Sequence, residues 1–304
     1  MNIIKRVFYR VFSFLQPDMT EDYRLVRRIK RAVTPTLPGY RFADFKILVK
    51  NREIPVRIFS PEESEGPGVL LFFHGGGWVI GDIESYTNIC ANMANQTGRR
   101  VVSVDYRLAP EFPFPNGLED CYYVWRVLSE HPEFMNCAAS DITLIGDSAG
   151  ANLAAAVSLK SAQQGRIVPL RQILLYPATN NDHSDDVLFR SIHENGSGYG
   201  LSAKTVREYM DLYLPHDEDR DNPLAAPLLA VDVKGQPSTL VITAEFDPLR
   251  DEGTAYAAKL ALQDVKVKTV CVRDAVHGFI SYPKFHEHVV ECYQIINQFF
   301  ETSL

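Results

Sequence analysis

Ile142-Thr143-Leu144-Ile145-Gly146-Asp147-Ser148-Ala149-Gly150-Ala151-Asn152 is the stretch that decides how this chain is read. Four strand formers, Ile142 to Ile145, run into a glycine-flanked turn at 146–150, and an alanine-rich helical stretch from Ala151 to Ala162 follows at once. Strand, tight turn and helix in that order are the context of a nucleophile elbow. A serine on so sharp a turn takes strained backbone angles, and side chains at 146 and 150 would collide with the neighbouring strand and helix. The helix N-terminus behind Ser148 aims free backbone N–H groups at any negative oxygen forming in front of it. A chain with 18 glycines also produces G-x-S-x-G by chance. The reading therefore depends on finding an oxyanion site, an acid and a base in the right order.

An oxyanion site is suggested upstream. Val69 to Phe73 is a continuous apolar run, as expected of a strand buried on both faces. His74-Gly75-Gly76-Gly77-Trp78 comes straight after it. Three consecutive glycines cost chain entropy and cannot pack a core, whereas bare N–H groups facing a developing negative charge would explain them. Gly76 and Gly77 are expected to donate from one side and Ala149 from the other. His74, beside the glycines, is read as orienting the loop by hydrogen bonds.

Downstream, the strand Leu240 to Thr243 leads into Glu245-Phe246-Asp247-Pro248-Leu249-Arg250-Asp251. Asp247 stands where a sheet-end carboxylate would orient a histidine. Asp251 is the rival, although it falls in the first turn of the next helix, where a carboxylate suits the helix dipole. Of eight histidines, only His277 lies just past the last expected strand, 265–272. The order Ser148, Asp247, His277 is that of α/β-hydrolases.

Between these motifs, strands and helices alternate, which predicts a mostly parallel sheet with helices on both faces. Helices are expected over 85–97, 117–130, 151–163, 252–263 and about 284–301, and strands over 101–104 and 173–176. Phe45 to Val49 and Ile54 to Phe59 read as an antiparallel hairpin turning at Asn51-Arg52-Glu53. From Pro177 to about Pro237 no sheet-like strand is expected, only polar and glycine-rich loop and a helix near 203–213. So long an excursion is usually a lid or inserted subdomain.

The 46% hydrophobic and 23% charged composition is that of a globular protein, and no apolar run approaches the length of a membrane-spanning helix. The five cysteines, at 90, 121, 137, 271 and 292, are scattered and lack CxxC spacing. They suggest free thiols in a reducing, cytoplasmic setting and no metal cluster. A net charge of −7 argues against general nucleic-acid binding. That charge is uneven: residues 1 to 35 hold eight Lys/Arg against three Asp/Glu, a net +5, so the remainder carries −12. Met1 to Gln16 has apolar residues at helical spacing interrupted by Lys5, Arg6 and Arg10, which is unlike a secretory signal. A second helix is expected from Thr20 to about Val33. The basic pair could lie on a membrane surface, but packing on the body of the protein is the expected arrangement, without stable membrane insertion.

Five motifs in register now carry a resemblance: HGGGW at 74–78, YRLAPE at 106–111, GDSAG at 146–150, DPLRDEG at 247–253 and HGF at 277–279. Together they resemble the hormone-sensitive-lipase-like family of α/β-hydrolases, in the branch of bacterial acetyl esterases, over roughly residues 40–304. The resemblance implies an α/β-hydrolase fold with an eight-stranded, mostly parallel sheet and a helical cap. It implies a serine carboxylesterase for short-chain acyl esters with no cofactor, and a small-molecule ester is the expected partner. The cap would comprise residues 1–40 and an insertion at 178–222, leaving 41–177 and 223–304 as the catalytic domain. Ala151 departs from the family pattern, which often has a third glycine there. YRLAPE is read as architecture buttressing the site, and His183, His193 and His216 as surface polar residues of the cap. The same triad would serve an amidase, carbamate hydrolase or thioester hydrolase, whereas a ligand-binding homologue without turnover, the other alternative, is opposed by the presence of Ser148, Asp247 and His277 together. Trp78, Phe279, Tyr199 and Tyr209 are the candidates for narrowing the pocket. Oligomeric state stays open, with a homodimer one option.

Overall fold

The computed structural model describes residues 17–49, 52–63, 66, 68–184 and 186–302. The expected helix at 1–16, and residue 51 of the expected hairpin turn, lie outside the described residues. Eight strands form a single sheet: β1 (Phe42–Val49), β2 (Arg52–Phe59), β3 (Val69–Phe73), β4 (Arg100–Val104), β5 (Ile142–Asp147), β6 (Arg171–Leu175), β7 (Ser238–Phe246) and β8 (Val267–Val276). Their spatial order is β1-β2-β4-β3-β5-β6-β7-β8. β1 and β2 pair antiparallel, β2 runs antiparallel to β4, and every later pairing is parallel.

Alternate strand side chains enter two separate cores, because successive residues point to opposite faces. Val69, Leu71 and Phe73 pack with helices α3 (Asn116–Glu130), α4 (Ala149–Gln163) and α8 (Arg250–Ala261) on one face. Leu70 and Phe72 pack with α2 (Thr87–Thr97) and α9 (Glu287–Glu301) on the other. All five residues of β3 are buried, which accounts for its unbroken apolar sequence. The chain leaves β3 for β4 on one side and returns as β5 on the other. The loops after β3 and β5 consequently diverge from a topological switch point, where such sheets hold their ligands.

Helix α1 (Met19–Val33) is capped by Asp18, whose carboxylate accepts the Thr20 N–H at 3.0 Å. It lies against α6 (Ala203–Tyr213), with the Met19 N–H donating to Glu208 Oε2 at 3.0 Å. Arg27 fastens it to the body: its guanidinium donates to the Val79 and Ala109 carbonyls at 2.7 Å each and pairs with both oxygens of Glu111 at 2.9 Å. Short helices α5 (Arg190–Asn195) and α7 (Asp217–Arg220) occupy parts of 178–222 that read as loop in the sequence. Among the described residues no strand interrupts that excursion.

Several boundaries are shifted by a few residues from expectation, and two of the shifts position the site. Helix α4 begins at Ala149 rather than Ala151, so it starts immediately behind Ser148. β8 continues to Val276, four residues beyond its expected end, with a register shift against β7 between Ala244 and Phe246. His277 therefore follows the strand directly. Among the described residues no helix is long and apolar enough to cross a membrane, and the five cysteines are free.

Candidate active site

Ser148 sits at the N-cap position of α4 with φ 55° and ψ −120°, a positive-φ backbone conformation that a residue with a Cβ rarely adopts. The turn is held on both sides. The Ser148 N–H donates to the Leu175 carbonyl at 2.8 Å, and its own carbonyl accepts from Ala151 and Asn152 at 3.1 Å. The flanking glycines are required by space. A Cβ at Gly146 would lie 2.2 Å from the Gly150 carbonyl oxygen, and one at Gly150 would lie 1.9 Å from that of Phe73. The tight turn thus brings β5, β3 and α4 too close for any side chain at either position.

His277 meets this turn from the end of β8, released by Gly278 in a left-handed conformation at φ 78°. Its Nε2 lies 2.8 Å from Ser148 Oγ, and its Nδ1 lies 2.8 Å from Asp247 Oδ2. Asp247 is wholly buried, and its other oxygen accepts the Leu249 N–H at 2.8 Å. Asp251 points elsewhere. Its carboxylate accepts the Ser191 N–H at 2.9 Å and the Arg250 Nε–H at 2.8 Å, within the first turn of α8. The Tyr176 ring supports the imidazole edge-on at 4.9 Å between centroids.

The glycine loop after β3 faces the same cavity as Ser148 and His277. Gly76 (φ 114°) has the Ile80 carbonyl oxygen where a Cβ would stand, at 2.1 Å, and Gly77 (φ 61°) has the Tyr209 ring there, at 2.2 Å. Among the described residues the N–H groups of Gly76 and Gly77 have no protein acceptor, and Ala149 N–H belongs to the unsatisfied first turn of α4. Asp147 locks the loop against the serine turn: Oδ1 accepts the Gly75 N–H at 2.7 Å and Oδ2 the Tyr86 O–H at 3.2 Å. Burial pushes the Asp147 carboxyl above its usual range.

His74 is completely buried under the loop. Its Nδ1 lies 2.9 Å from the Gly75 carbonyl, an arrangement in which Nδ1–H donates, and its ring stacks on Tyr106 at 4.3 Å. Desolvation drives its pKa down to about 4. The Tyr106 O–H donates to the His74 carbonyl at 2.6 Å. Arg107 pairs with both oxygens of Asp120 at 2.9 Å, and Glu111 takes Arg27. The 106–111 run is thus built into the support of the loop.

The cavity measures about 280 Å³, just below the roughly 300–1,000 Å³ usual for small-molecule sites. Trp78, stacked on Tyr213 at 4.3 Å, and Tyr209 form part of its wall, with Leu201, Val206 and Leu249. Phe279 and Tyr199 do not. Phe279 is fully buried beneath Tyr176, and Tyr199 stacks on Phe246 at 4.9 Å.

His183 corrects a sequence-based expectation. It is not a surface residue: its Nε2 lies 2.8 Å from Glu252 Oε2 with both side chains buried, while Glu252 Oε1 accepts the Thr179 and Asn180 N–H groups at 2.6 and 3.2 Å. Three further supports were not singled out from sequence. Asn152 Nδ2 ties Ala178 to Ala225, Asn195 Nδ2 reaches the Asp247 carbonyl at 3.3 Å, and Ser191 Oγ donates to the Pro248 carbonyl at 2.7 Å. Only Asn152 had a readable signal, as a polar residue in the alanine-rich stretch behind the elbow. Among the described residues no three His, Cys, Asp or Glu side chains come together in a way that could hold a metal ion.

Comparison with known proteins bears on the fold and the class of protein. Residues 70–281 match a family described by its alpha/beta hydrolase fold. An arylesterase of Saccharolobus solfataricus is 32% identical over 287 residues, covering 93% of this chain and 92% of its own. An ethyl acetate hydrolase of Pseudomonas putida is 33% identical over 231 residues, covering 75% and 71%. The solved structure of a hyperthermophilic esterase from Pyrobaculum calidifontis superposes with a TM-score of 0.88 at 32% identity, covering 98% of this chain and 97% of that one. The chain belongs to the α/β-hydrolase fold family, within its hormone-sensitive-lipase-like group.

Proposed function

We propose that the protein is a serine carboxylesterase that hydrolyses short-chain acyl esters through an acyl-enzyme on Ser148. The observation that carries this reading is the unbroken hydrogen-bonded line from Ser148 Oγ through His277 to buried Asp247, 2.8 Å at each step. Ser148 Oγ attacks the ester carbonyl as His277 Nε2 takes its proton, and Asp247 holds the Nδ1–H tautomer and stabilises the imidazolium. The carbonyl oxygen becomes an oxyanion, accepting hydrogen bonds from the N–H groups of Gly76, Gly77 and Ala149. Each such donor contributes about 3 kcal/mol in comparable enzymes. The C–O bond breaks as His277 returns the proton to the leaving alcohol. Water, deprotonated by His277, then attacks the acyl-Ser148 ester, and Oγ leaves with the proton.

Helix α1 and the 178–222 segment act together as a cap in this reading, since Lys30 and Thr34 from the first and Leu201, Val206 and Tyr209 from the second line the cavity. The small volume and the Trp78 and Tyr209 rings favour short acyl groups, in keeping with the ethyl acetate hydrolase among the relatives. A series of p-nitrophenyl esters from acetate to decanoate tests the substrate class. Turnover is expected to peak at butyrate or shorter, and a maximum at octanoate or longer contradicts the reading.

A further inference from the structure

Hydrolysis of a small neutral ester leaves the lysine of the cavity wall without a role. Lys30, on the inner side of α1, is partly buried and lines the same cavity as Ser148 and His277. Its ammonium stands 4.5 Å from the centroid of the Tyr86 ring, whose O–H binds Asp147, the residue before Ser148.

Among the described residues this ammonium has the ring face but no hydrogen-bond acceptor and no ion pair. The nearby acids are already committed. Asp82 accepts the Ser85 N–H at 2.7 Å and faces Arg31 at 3.7 Å, while Asp147 accepts from Gly75 and Tyr86. Asn88, on the same wall, spends its amide on the Pro35 carbonyl and the Leu37 N–H, both at 2.9 Å. An ammonium partly withdrawn from water without an acceptor loses solvation that an aromatic face returns only in part. Burial lowers the Lys30 pKa, opposed by the charges of Asp147 and Asp82. A partly buried cation left without an acceptor at the wall of a substrate cavity is arranged for an anion that arrives with the substrate.

We infer that Lys30 is the anion-binding contact of the pocket, and that the preferred substrates are esters carrying a carboxylate a few bonds from the scissile carbonyl. This rests on the ester-hydrolase reading above and deepens it. The carboxylate could enter on the acyl side, as in a half-ester of a dicarboxylic acid, or on the alcohol side, as in an O-acyl hydroxy acid. The recognition chemistry is the same.

Matched pairs distinguish the two. Ethyl hydrogen glutarate is compared with ethyl 5-methylhexanoate for the acyl side, and 4-acetoxybutanoate with 4-methylpentyl acetate for the alcohol side, all by titrimetric kcat/KM at neutral pH. In at least one pair the anionic-to-neutral ratio should fall by about tenfold or more in Lys30→Met and be largely kept in Lys30→Arg. The same ratio should shrink with added salt, as a charge contact requires. If neither ratio moves in Lys30→Met while the wild type turns over the neutral esters, the Lys30 assignment is wrong and the hydrolase reading stands. Absence of turnover on every ester by the wild type would instead remove the hydrolase reading. Should Lys30→Met lose all turnover, calorimetric binding of ethyl hydrogen glutarate and 4-acetoxybutanoate to Ser148→Ala, with and without Lys30→Met, reads the same contrast. Equal affinity of both anions for the two proteins overturns the proposal, and weaker binding of either without Lys30 upholds it.

Discussion

Asp247 and His277 come from adjacent parallel strands, β7 and β8, and meet at 2.8 Å just beyond the strands' carboxyl ends. The register shift between Ala244 and Phe246 lies immediately before Asp247. Asp251, four residues further on, is instead held by Ser191 and Arg250.

The two carboxylates are therefore expected to behave differently. Asp247→Asn should lower kcat by about 10³–10⁴-fold, because an amide cannot hold the Nδ1–H tautomer. Asp251→Asn keeps the imidazole partner and should cost no more than roughly tenfold, through the altered docking of α5. Steady-state kinetics on p-nitrophenyl acetate compare them, and a larger loss at 251 would mean the acid is misassigned.

Gly150 lies so close to β3 that a Cβ would stand 1.9 Å from the Phe73 carbonyl oxygen and 2.6 Å from that of His74. Both obstacles are backbone, so neither can swing aside. Gly150→Ala should destabilise the fold by about 3 kcal/mol or more, beyond ordinary overpacking, as read by urea denaturation. A wild-type midpoint would show that the elbow is looser than described.

Buried neutral His74 makes stability depend on pH. Its native pKa of about 4 lies below the 6.5 of a free imidazole, so the unfolded chain binds a proton that the native state refuses. Stability falls as pH drops from about 6.5 towards about 4, by on the order of 3 kcal/mol across the window, and levels off below it. His74→Gln removes this component. Urea melts of both proteins across that range should show a shallower acid loss in the variant, whereas parallel losses would contradict the assignment.

Glu252 clasps the 178–222 segment to α8 by accepting from Thr179 and Asn180 and pairing with His183. Glu252→Leu strands those buried donors and should destabilise the protein by about 3–5 kcal/mol. Limited proteolysis within 178–222 should accelerate before global unfolding, and an unchanged cleavage rate would argue against the clasp.

What could be read in advance follows from how local each signal is. The elbow, the glycine loop and the terminal histidine each obey short-range rules: a strand must run into a turn too tight for a side chain. Ser148, Gly76, Gly77, Asp247 and His277 could accordingly be placed at strand ends, and the sheet's alternation with helices was legible from Val69 to the last helix. The burial of His183 was not, because its partner Glu252 is 69 residues away and a polar loop histidine looks the same buried or exposed. Phe279 and Tyr199 failed as pocket residues for a related reason. Which way an aromatic ring turns is decided by Tyr176 and Phe246, contacts that no spacing rule encodes. The extension of β8 to Val276 depended on its pairing with β7, again a long-range partner.

Ser148 Oγ, as the proposed nucleophile, should be the one oxygen that reacts with an organophosphate. Incubation with diethyl p-nitrophenyl phosphate, followed by intact-mass and peptide mass spectrometry, tests it most directly. One diethylphosphoryl group per chain is expected, on the peptide containing Ser148, appearing in step with loss of esterase activity and absent from Ser148→Ala. Full activity without an adduct, or inactivation with the adduct on another residue, would contradict it.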